Sequence, residues 1–206
     1  MNVASITDIA FKLAGEKVWF ADTQTGEALI EIGGASAFGG TQSSTASKYF
    51  QTIELADNTP GFAGVLFKRP KDNRNYIIIA LDEESSISLA QYKQGTVAIC
   101  NVTSGEIHRI SATKDAIGRK TITWTKVKQG VPALLLPERL LFEESEQIGP
   151  VESKRYRAWI ASGEVIQEDD RYIVSGETRY ETFKVEAIDT YRYNNINWCL
   201  LGEDTR

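Results

Sequence analysis

The chain has 206 residues, 42% of them hydrophobic and 25% charged, and its 23 basic and 28 acidic residues give a net charge of −5. This is globular composition, long enough for a buried core. The mixed, slightly acidic charge disfavours nucleic-acid binding as the main activity, because proteins that grip phosphate backbones cluster Lys and Arg. No stretch approaches the ~20 apolar residues of a membrane-spanning helix, and the N-terminus lacks the pattern of a secretory signal. We therefore expect a protein made and folded in the cytoplasm.

The first residues predict a short N-terminal helix, and a Gly/Ser-rich segment follows. Residues 33–47 hold two Gly-Gly pairs among Ser and Thr residues, which predicts a long loop or an extended arm. No Lys-Ser or Lys-Thr follows the glycines, so this is not a phosphate-binding loop and we expect no cofactor. Phe38 is an apolar residue in the middle of the segment, and a lone aromatic in such a loop is typical of a contact with a partner protein.

Beyond this segment, hydrophobic residues alternate with a period of two, which predicts a mainly β protein made of small antiparallel β-barrel or sandwich modules. The clearest predicted strands are YIIIALD, GTVAICNV, EIHRISAT, KTITWTKV, RYRAWIA, RYIVSG, TFKVEAID and INWCLLG. Turn residues such as Ile117-Gly118 and Ser175-Gly176 separate them. The Pro-rich segment 132–153 predicts either a short helix around Pro137–Glu144 or an irregular crossing between strands.

A weak internal repeat divides the chain. Residues 75–82 and 95–100 form one predicted hairpin, and residues 181–189 and 195–199 form another; each has a strand ending in Ala-aliphatic-Asp, a polar reversal, and a strand ending in Cys. A hairpin used twice indicates two β-rich modules. We predict an N-terminal module over 1–104, with the loop 33–47, and a C-terminal barrel-like module over 105–206.

The reactive residue types are few. His108 is the only histidine, so no multi-histidine metal site is expected, and we predict a strand residue facing solvent or a subunit boundary. Cys100 and Cys199 both lie in apolar strand-like runs, which indicates buried free thiols in preference to a disulfide or a nucleophile. We expect no catalytic residues and no metal.

Two charged clusters stand out. Glu168, Asp169 and Asp170 lack the alternating spacing of a calcium loop, so a charged turn before a strand is the favoured interpretation. Arg69 and Arg74 belong to a small basic cluster that also includes two lysines; it predicts a solvated turn, with an acidic partner surface as the alternative.

From residue 127 onwards the order of elements resembles the small β-barrel head-closure and head–tail connector (neck) proteins of tailed bacteriophages. The resemblance rests on RYRAWIASGEVIQEDDRYIVSGE, a strand written FKVEAI, and the terminal INWCLLGED. The acidic Asp-Arg turn that introduces a hairpin is part of that pattern. A "G-x-x-Y-x-V" strand is part of it too, although here Gly176 precedes Tyr180–Val185 with extra residues inserted. The resemblance covers roughly the last eighty residues.

What the resemblance implies is a structural virion protein without enzymatic activity. Such a protein forms a ring around a channel through which the genome DNA passes without specific binding, and it contacts other neck, portal or tail proteins. The acidic net charge would keep DNA from adhering. Asp169, Asp170 and Arg171 would fix a turn or form ion pairs between subunits. With Phe38, Arg69 and Arg74 they are the candidate interface residues.

Other functions remain open. A tail-completion or baseplate protein is the nearest alternative within the same class. A cellular β-barrel module that binds a peptide or carbohydrate is a second, and it would present exposed aromatics such as Trp124, Trp159, Tyr191 and Tyr193. A hydrolase acting through paired carboxylates is the third.

Overall fold

A computed structural model describes residues 16–20, 25–31, 44–56, 61–83, 92–114, 117–138, 155–161, 163–175 and 180–204. The predicted N-terminal helix, Phe38 and most of the segment 33–47 lie outside these residues, as does the predicted helix beyond Glu138. The protein is mainly β, as predicted, and its strands form two closed antiparallel barrels.

Six strands form the first barrel, and a single helical turn, α1 (Ser44–Ser47), precedes the third of them. The strands are β1 (Glu16–Phe20), β2 (Thr25–Glu31), β3 (Phe50–Ala56), β4 (Leu66–Arg69), β5 (Arg74–Glu83) and β6 (Tyr92–Ile99). Around the barrel their order is β1-β2-β3-β6-β5-β4, and β4 closes the ring on β1.

Six further strands form the second barrel. They are β7 (Val102–Lys114), β8 (Lys120–Pro137), β9 (Tyr156–Ala161), β10 (Arg171–Ser175), β11 (Tyr180–Asp189) and β12 (Ile196–Glu203). Their order is β7-β8-β9-β12-β11-β10, with β10 closing on β7. Counted along the chain, the two barrels have the same strand order.

The likeness of the barrels extends to individual hydrogen bonds. In the first barrel the Gly64 amide donates to the Ile78 carbonyl over 2.7 Å, and the Ile78 amide donates to Val65 over 3.0 Å. In the second, the Asp169 amide donates to Val185 and the Val185 amide donates to Asp170, both over 2.9 Å. Gly64 and Asp169 both have positive φ, at 89° and 68°. The same turn therefore introduces β4 and β10.

The repeated hairpin predicted from the sequence occupies the same place in each barrel, as β5–β6 and β11–β12. Each has a register shift at the same point, between Ile78 and Ala80 and between Val185 and Ala187. The predicted alignment of the two cysteines is wrong, however. Leu81 faces Gly95 as Ile188 faces Cys199, so Cys199 corresponds to Gly95 and not to Cys100.

In the strands whose side chains the structure describes, alternate residues fill the barrel interiors, as the period of two requires. Tyr172 lies at the centre of the second barrel, where its hydroxyl donates to the Val131 carbonyl over 2.9 Å. Its ring covers Gly105, and a Cβ at that position would overlap the ring. The first barrel is filled by a separate cluster: Val18, Phe20, Ile53, Leu55, Phe67, Tyr76, Ile78, Val97 and Ile99.

A third apolar cluster joins the barrels through residues on their outer surfaces. Phe50 packs edge-on against Trp159, with ring centroids 5.7 Å apart. The linker between the barrels is held as well, because Asn101 exchanges two side-chain hydrogen bonds with the backbone of Leu135, at 2.7 and 2.8 Å. The cluster comprises Ala46, Phe50, Ile77, Ile79, Ala98 and Cys100 from the first barrel, with Leu134, Leu136, Trp159, Ile196 and Trp198 from the second.

Two boundaries differ from the sequence-based expectation. The predicted module boundary between residues 104 and 105 lies inside β7, which begins at Val102. The predicted irregular segment begins too early, because residues 132–137 are the end of β8. Pro132 falls at a shift in the β7–β8 register, between Gly105↔Val131 and Val102↔Ala133, where a missing amide proton is tolerated.

Candidate functional site: charged turns and an exposed β-ribbon

Asp170 is buried and holds the turn before β10. Its carboxylate accepts hydrogen bonds from Arg109 Nε and an Arg109 terminal nitrogen, over 3.0 and 2.9 Å, and from the Gln167 amide over 2.9 Å. Arg109 also donates to the Val165 carbonyl, and the paired carboxylate raises the pKa of its guanidinium. Of the two roles predicted for Asp170, the structure shows the turn. An interior carboxylate held on three sides presents no face to a partner.

The neighbours of Asp170 in the acidic turn are more accessible. Asp169 is exposed and pairs with Lys184 over 2.8 Å. Arg171 is paired with Asp204, whose side chain is buried. The Arg171 guanidinium also lies over the Trp124 ring, 3.7 Å from its centroid, which is a cation–π contact. The Arg171 side chain therefore fastens β10 both to the end of the chain and to β8.

The predicted basic cluster forms the hairpin turn between β4 and β5. Arg69 is buried and lies 3.6 Å from Asp72, so its burial contradicts a role as a solvent-facing interface residue. Asp72 also accepts a 2.6 Å hydrogen bond from the Tyr76 hydroxyl, and burial together with this carboxylate raises the tyrosine pKa. Arg74 is exposed, and its backbone amide donates a hydrogen bond to the Asp72 carboxylate over 3.1 Å. The turn is structural, and its exposed cations are Lys71 and Arg74.

His108 is part of a charged group on the outer face of the second barrel. Its Nε2 lies 2.9 Å from Glu106, and Lys126 Nζ lies 2.8 Å from the other oxygen of the same carboxylate. Lys126 and His108 lower the Glu106 pKa. His108 is a strand residue, as expected, and its ring is only partly exposed.

Both cysteines are free and buried, as predicted. Burial raises the Cys100 thiol pKa and raises the Cys199 pKa to about 12. A nucleophilic cysteine needs a lowered pKa and an accessible sulfur. These thiols have the opposite properties and act as small apolar residues of the cores.

The aromatic residues proposed for a binding module do not form an exposed cluster. Trp159 is fully buried between the barrels, and Tyr193 packs edge-on against Trp198. Trp124 lies beneath Arg171, and Tyr191 is 96% exposed. A peptide or sugar would meet one exposed ring among these four.

A two-stranded ribbon extends from the second barrel. Beyond Arg109 on β7 and before Lys126 on β8, the two strands pair with each other alone. Ile110 and Ala112 face Trp124 and Ile122 on one side. Ser111 and Thr113 face Thr123 and Thr121 on the other. Ile122 is 58% exposed, and Ile117 at the tip is 81% exposed. The ribbon thus has one apolar and one Thr-rich face. Both are open to solvent over residues 111–113 and 121–123, whereas Arg171 covers Trp124 nearer the barrel.

The sequence predicts these two strands and the turn at Ile117-Gly118, yet it does not predict that they leave the barrel. The sequence does contain one indication of a projecting ribbon. The alternating pattern from Glu106 through Val127 is longer than the patterns that form the strands of the first barrel. Alternation marks two faces without telling which of them is covered.

Among the residues that the structure describes, no three His, Cys, Asp or Glu side chains are grouped to hold a metal ion. Within the same residues, no helix has the length and apolar character needed to cross a bilayer.

No family model matches the chain, and no curated protein matches it. Among solved structures, the solution structure of protein SF1141 from Shigella flexneri 2a is similar to part of it. The identity is 16%, the match covers 52% of this chain and 95% of SF1141, and the TM-score is 0.38. A likeness of this degree indicates neither a family nor a function.

Proposed function

We propose that the protein is a structural assembly protein that works through protein–protein contacts, as a neck or head-completion adaptor in the virion of a tailed bacteriophage. The β7–β8 ribbon is the observation that carries the proposal. Exposed isoleucines at the tip and on one face of a projecting ribbon are typical of a segment that another protein covers. The resemblance of the last eighty residues to neck proteins supplies the specific assignment.

The charged residues also support a scaffold. Asp170, Asp204 and Arg69 are buried, and Asp170 and Arg109 join the turn before β10 to β7. These ion pairs stabilise the turns and the strand ends. A subunit that assembles with others needs such fixed turns, because they keep its contact surfaces in a constant arrangement. The net charge of −5 supports a channel lining that repels DNA, in a ring that also contacts portal or tail proteins.

The test is to delete the gene from the phage genome that carries it and to image the lysate by electron microscopy. We expect filled heads and free tails that do not join. Infectious particles in normal numbers would overturn the proposal. Tails without a distal structure, or of abnormal length, would replace the neck assignment with the baseplate or tail-completion alternative.

Complementation tests the ribbon itself. Ile122→Asp on the apolar face should fail to restore infectious particles, because it places a charge in the proposed contact. Thr123→Asp adds the same charge to the opposite face of the ribbon and serves as the matched control. Equal complementation by both variants would exclude the apolar face as the contact, and equal thermal unfolding would confirm that each is folded.

A further inference from the structure

The β7–β8 ribbon differs in charge from the rest of the chain. Residues 110–128 hold five basic residues and one acidic residue, whereas the remaining 187 residues hold 18 basic and 27 acidic residues. The ribbon segment therefore has a net charge of +4 and the rest of the chain −9. Two of the five cations, Lys126 and Lys128, pair with Glu106 and Glu164 next to the barrel. A basic segment on an acidic protein confines the attraction for a polyanion to that segment.

The other three basic residues lie at the tip of the ribbon. Lys114 and Lys120 occupy directly opposite positions in the last pair of the β7–β8 register. Arg119, which is exposed, precedes Lys120. Like charges at opposite positions of an antiparallel pair destabilise it. Two lysines at these positions do not help the ribbon to form, and an anionic molecule bound at the tip accounts for them.

The tip extends far enough from the barrel to enter a groove of duplex DNA. Five residue pairs, from Ile110↔Trp124 to Lys114↔Lys120, lie beyond the last pairing of β7 with β10. At ~3.4 Å per residue they span about 15 Å. The grooves of duplex DNA are roughly 7.5–8.5 Å deep. A duplex can therefore receive the tip while the acidic remainder of the protein stays outside the groove.

An apolar residue lies at the end of this basic tip. Ile117 is 81% exposed, and an added Cβ on its neighbour Gly118 would meet no atom within 4 Å. Proteins that bind the minor groove of DNA insert an apolar side chain between base pairs and contact the adjacent phosphates with cations. The tip holds both kinds of residue within seven positions of the chain, 114–120.

Duplex DNA fits the ribbon better than a lipid bilayer does. The second face of the ribbon consists of hydroxyl residues, and all of them are exposed: Ser111, Thr113, Thr121 and Thr123. Hydroxyl groups are costly to transfer into hydrocarbon, whereas they hydrogen-bond readily to phosphate and sugar oxygens. The ribbon therefore presents polar groups where a bilayer requires apolar ones.

We propose that the ribbon tip binds duplex DNA without sequence preference. Lys114, Arg119 and Lys120 contact phosphates on the two sides of the minor groove, and Ile117 lies against a base step. Phosphate contacts read no sequence, so this binding agrees with a genome that passes without specific binding. The proposal goes beyond the proposed function and does not rest on it. The apolar face around Ile122 remains the contact for a protein partner.

The test is fluorescence anisotropy of a labelled random-sequence duplex at increasing salt. Each phosphate contact contributes a slope of about −0.9 to the logarithm of the association constant against the logarithm of the salt concentration, so three contacts predict about −2.7. The triple variant Lys114→Gln/Arg119→Gln/Lys120→Gln should bind about tenfold more weakly or less at low salt and should have a slope near zero. Its melting temperature should equal or exceed that of the wild type, because the opposed lysines are gone.

The matched control removes three exposed cations from the first barrel. Lys17→Gln/Lys71→Gln/Arg74→Gln has the same net charge as the tip variant and should bind DNA like the wild type. Ile117→Ser tests the apolar contact. It should lower the affinity several-fold and keep the salt slope, because it removes no charge.

The outcomes separate this contact from the proposed function. A control variant that loses as much affinity as the tip variant would overturn the proposal, because net charge and not the tip would then govern binding. A wild-type protein that binds anionic phosphatidylglycerol vesicles but no duplex would also overturn it. Tip variants that bind DNA like the wild type but fail to restore infectious particles would do the same and would assign the tip to an acidic protein. DNA binding that depends on the tip, in a protein whose deletion leaves infectious particles intact, would retain the DNA contact and refute the virion function.

Discussion

Asp169 occupies in the second barrel the position that Gly64 occupies in the first. Both residues have positive φ, and both turns make the same two hydrogen bonds to the neighbouring strand. Gly64 lies against the backbone of Asn195, where a side chain does not fit, whereas Asp169 faces solvent and reaches Lys184. The two turns thus have the same backbone conformation, and their residue types differ because only the turn of the first barrel contacts the other barrel.

Gly64→Ala should be destabilising by about 3 kcal/mol or more. Alanine adds strain at a φ of 89° and a Cβ that overlaps the Asn195 backbone. Gly118→Ala is the matched control, because Gly118 has a φ of 83° and no atom within 4 Å of an added Cβ. It should cost only about 1 kcal/mol, from strain alone. Urea unfolding measures both, and equal losses would refute the contact between Gly64 and the second barrel.

Asp170→Asn should lower the free energy of unfolding by about 2–3 kcal/mol, because the buried side chain loses its charge and with it the charge-assisted hydrogen bonds that it accepts from Arg109. Asp169→Asn makes the same change one residue earlier, at an exposed ion pair and a positive φ that Asn tolerates. It should change stability by no more than about 0.5 kcal/mol. Similar chemical-denaturation midpoints for the two variants would contradict the structural role of Asp170.

Trp159→Ala should separate the unfolding of the two barrels. The side chain is fully buried between them, and its removal should cost about 3–5 kcal/mol. Because each barrel keeps its own core, we expect two calorimetric transitions where the wild type shows one. Trp19→Ala removes a half-exposed tryptophan from the first barrel and should leave a single transition.

Stability should fall as the pH rises from about 9 to about 12. The unfolded thiols ionise near their ordinary value of 9.0, while burial raises the folded Cys199 pKa to about 12 and also raises that of Cys100. Above pH 9 the unfolded chain therefore binds fewer protons, and each thiol contributes a slope of about 1.4 kcal/mol per pH unit. The double variant Cys100→Ala/Cys199→Ala should lose that part of the slope and keep the part due to buried tyrosines. An unchanged slope would show that the thiols ionise in the folded protein.

The strand content, the buried cysteines and the repeated hairpin could all be predicted from the sequence, because each depends on local alternation and residue type. Alternation of Val, Ile, Thr and aromatic residues leaves few conformations other than a strand. The Ala-aliphatic-Asp pattern before a polar turn shows the repeat in the sequence. Aligning the two cysteines misplaces the second strand by five residues, since Cys199 corresponds to Gly95 and not to Cys100.

What lies on each outer face was decided by the tertiary structure alone. Trp159 and Ile122 both belong to strands with clear hydrophobic alternation, and neither side chain lies inside a barrel. Trp159 is nevertheless buried, because the first barrel covers it, whereas Ile122 is exposed on the ribbon. Arg69 and Asp170 look like surface charges in sequence and are buried, because their partners Asp72 and Arg109 neutralise them in place. A period of two fixes which residues share a face, whereas the burial of that face depends on contacts between distant parts of the chain.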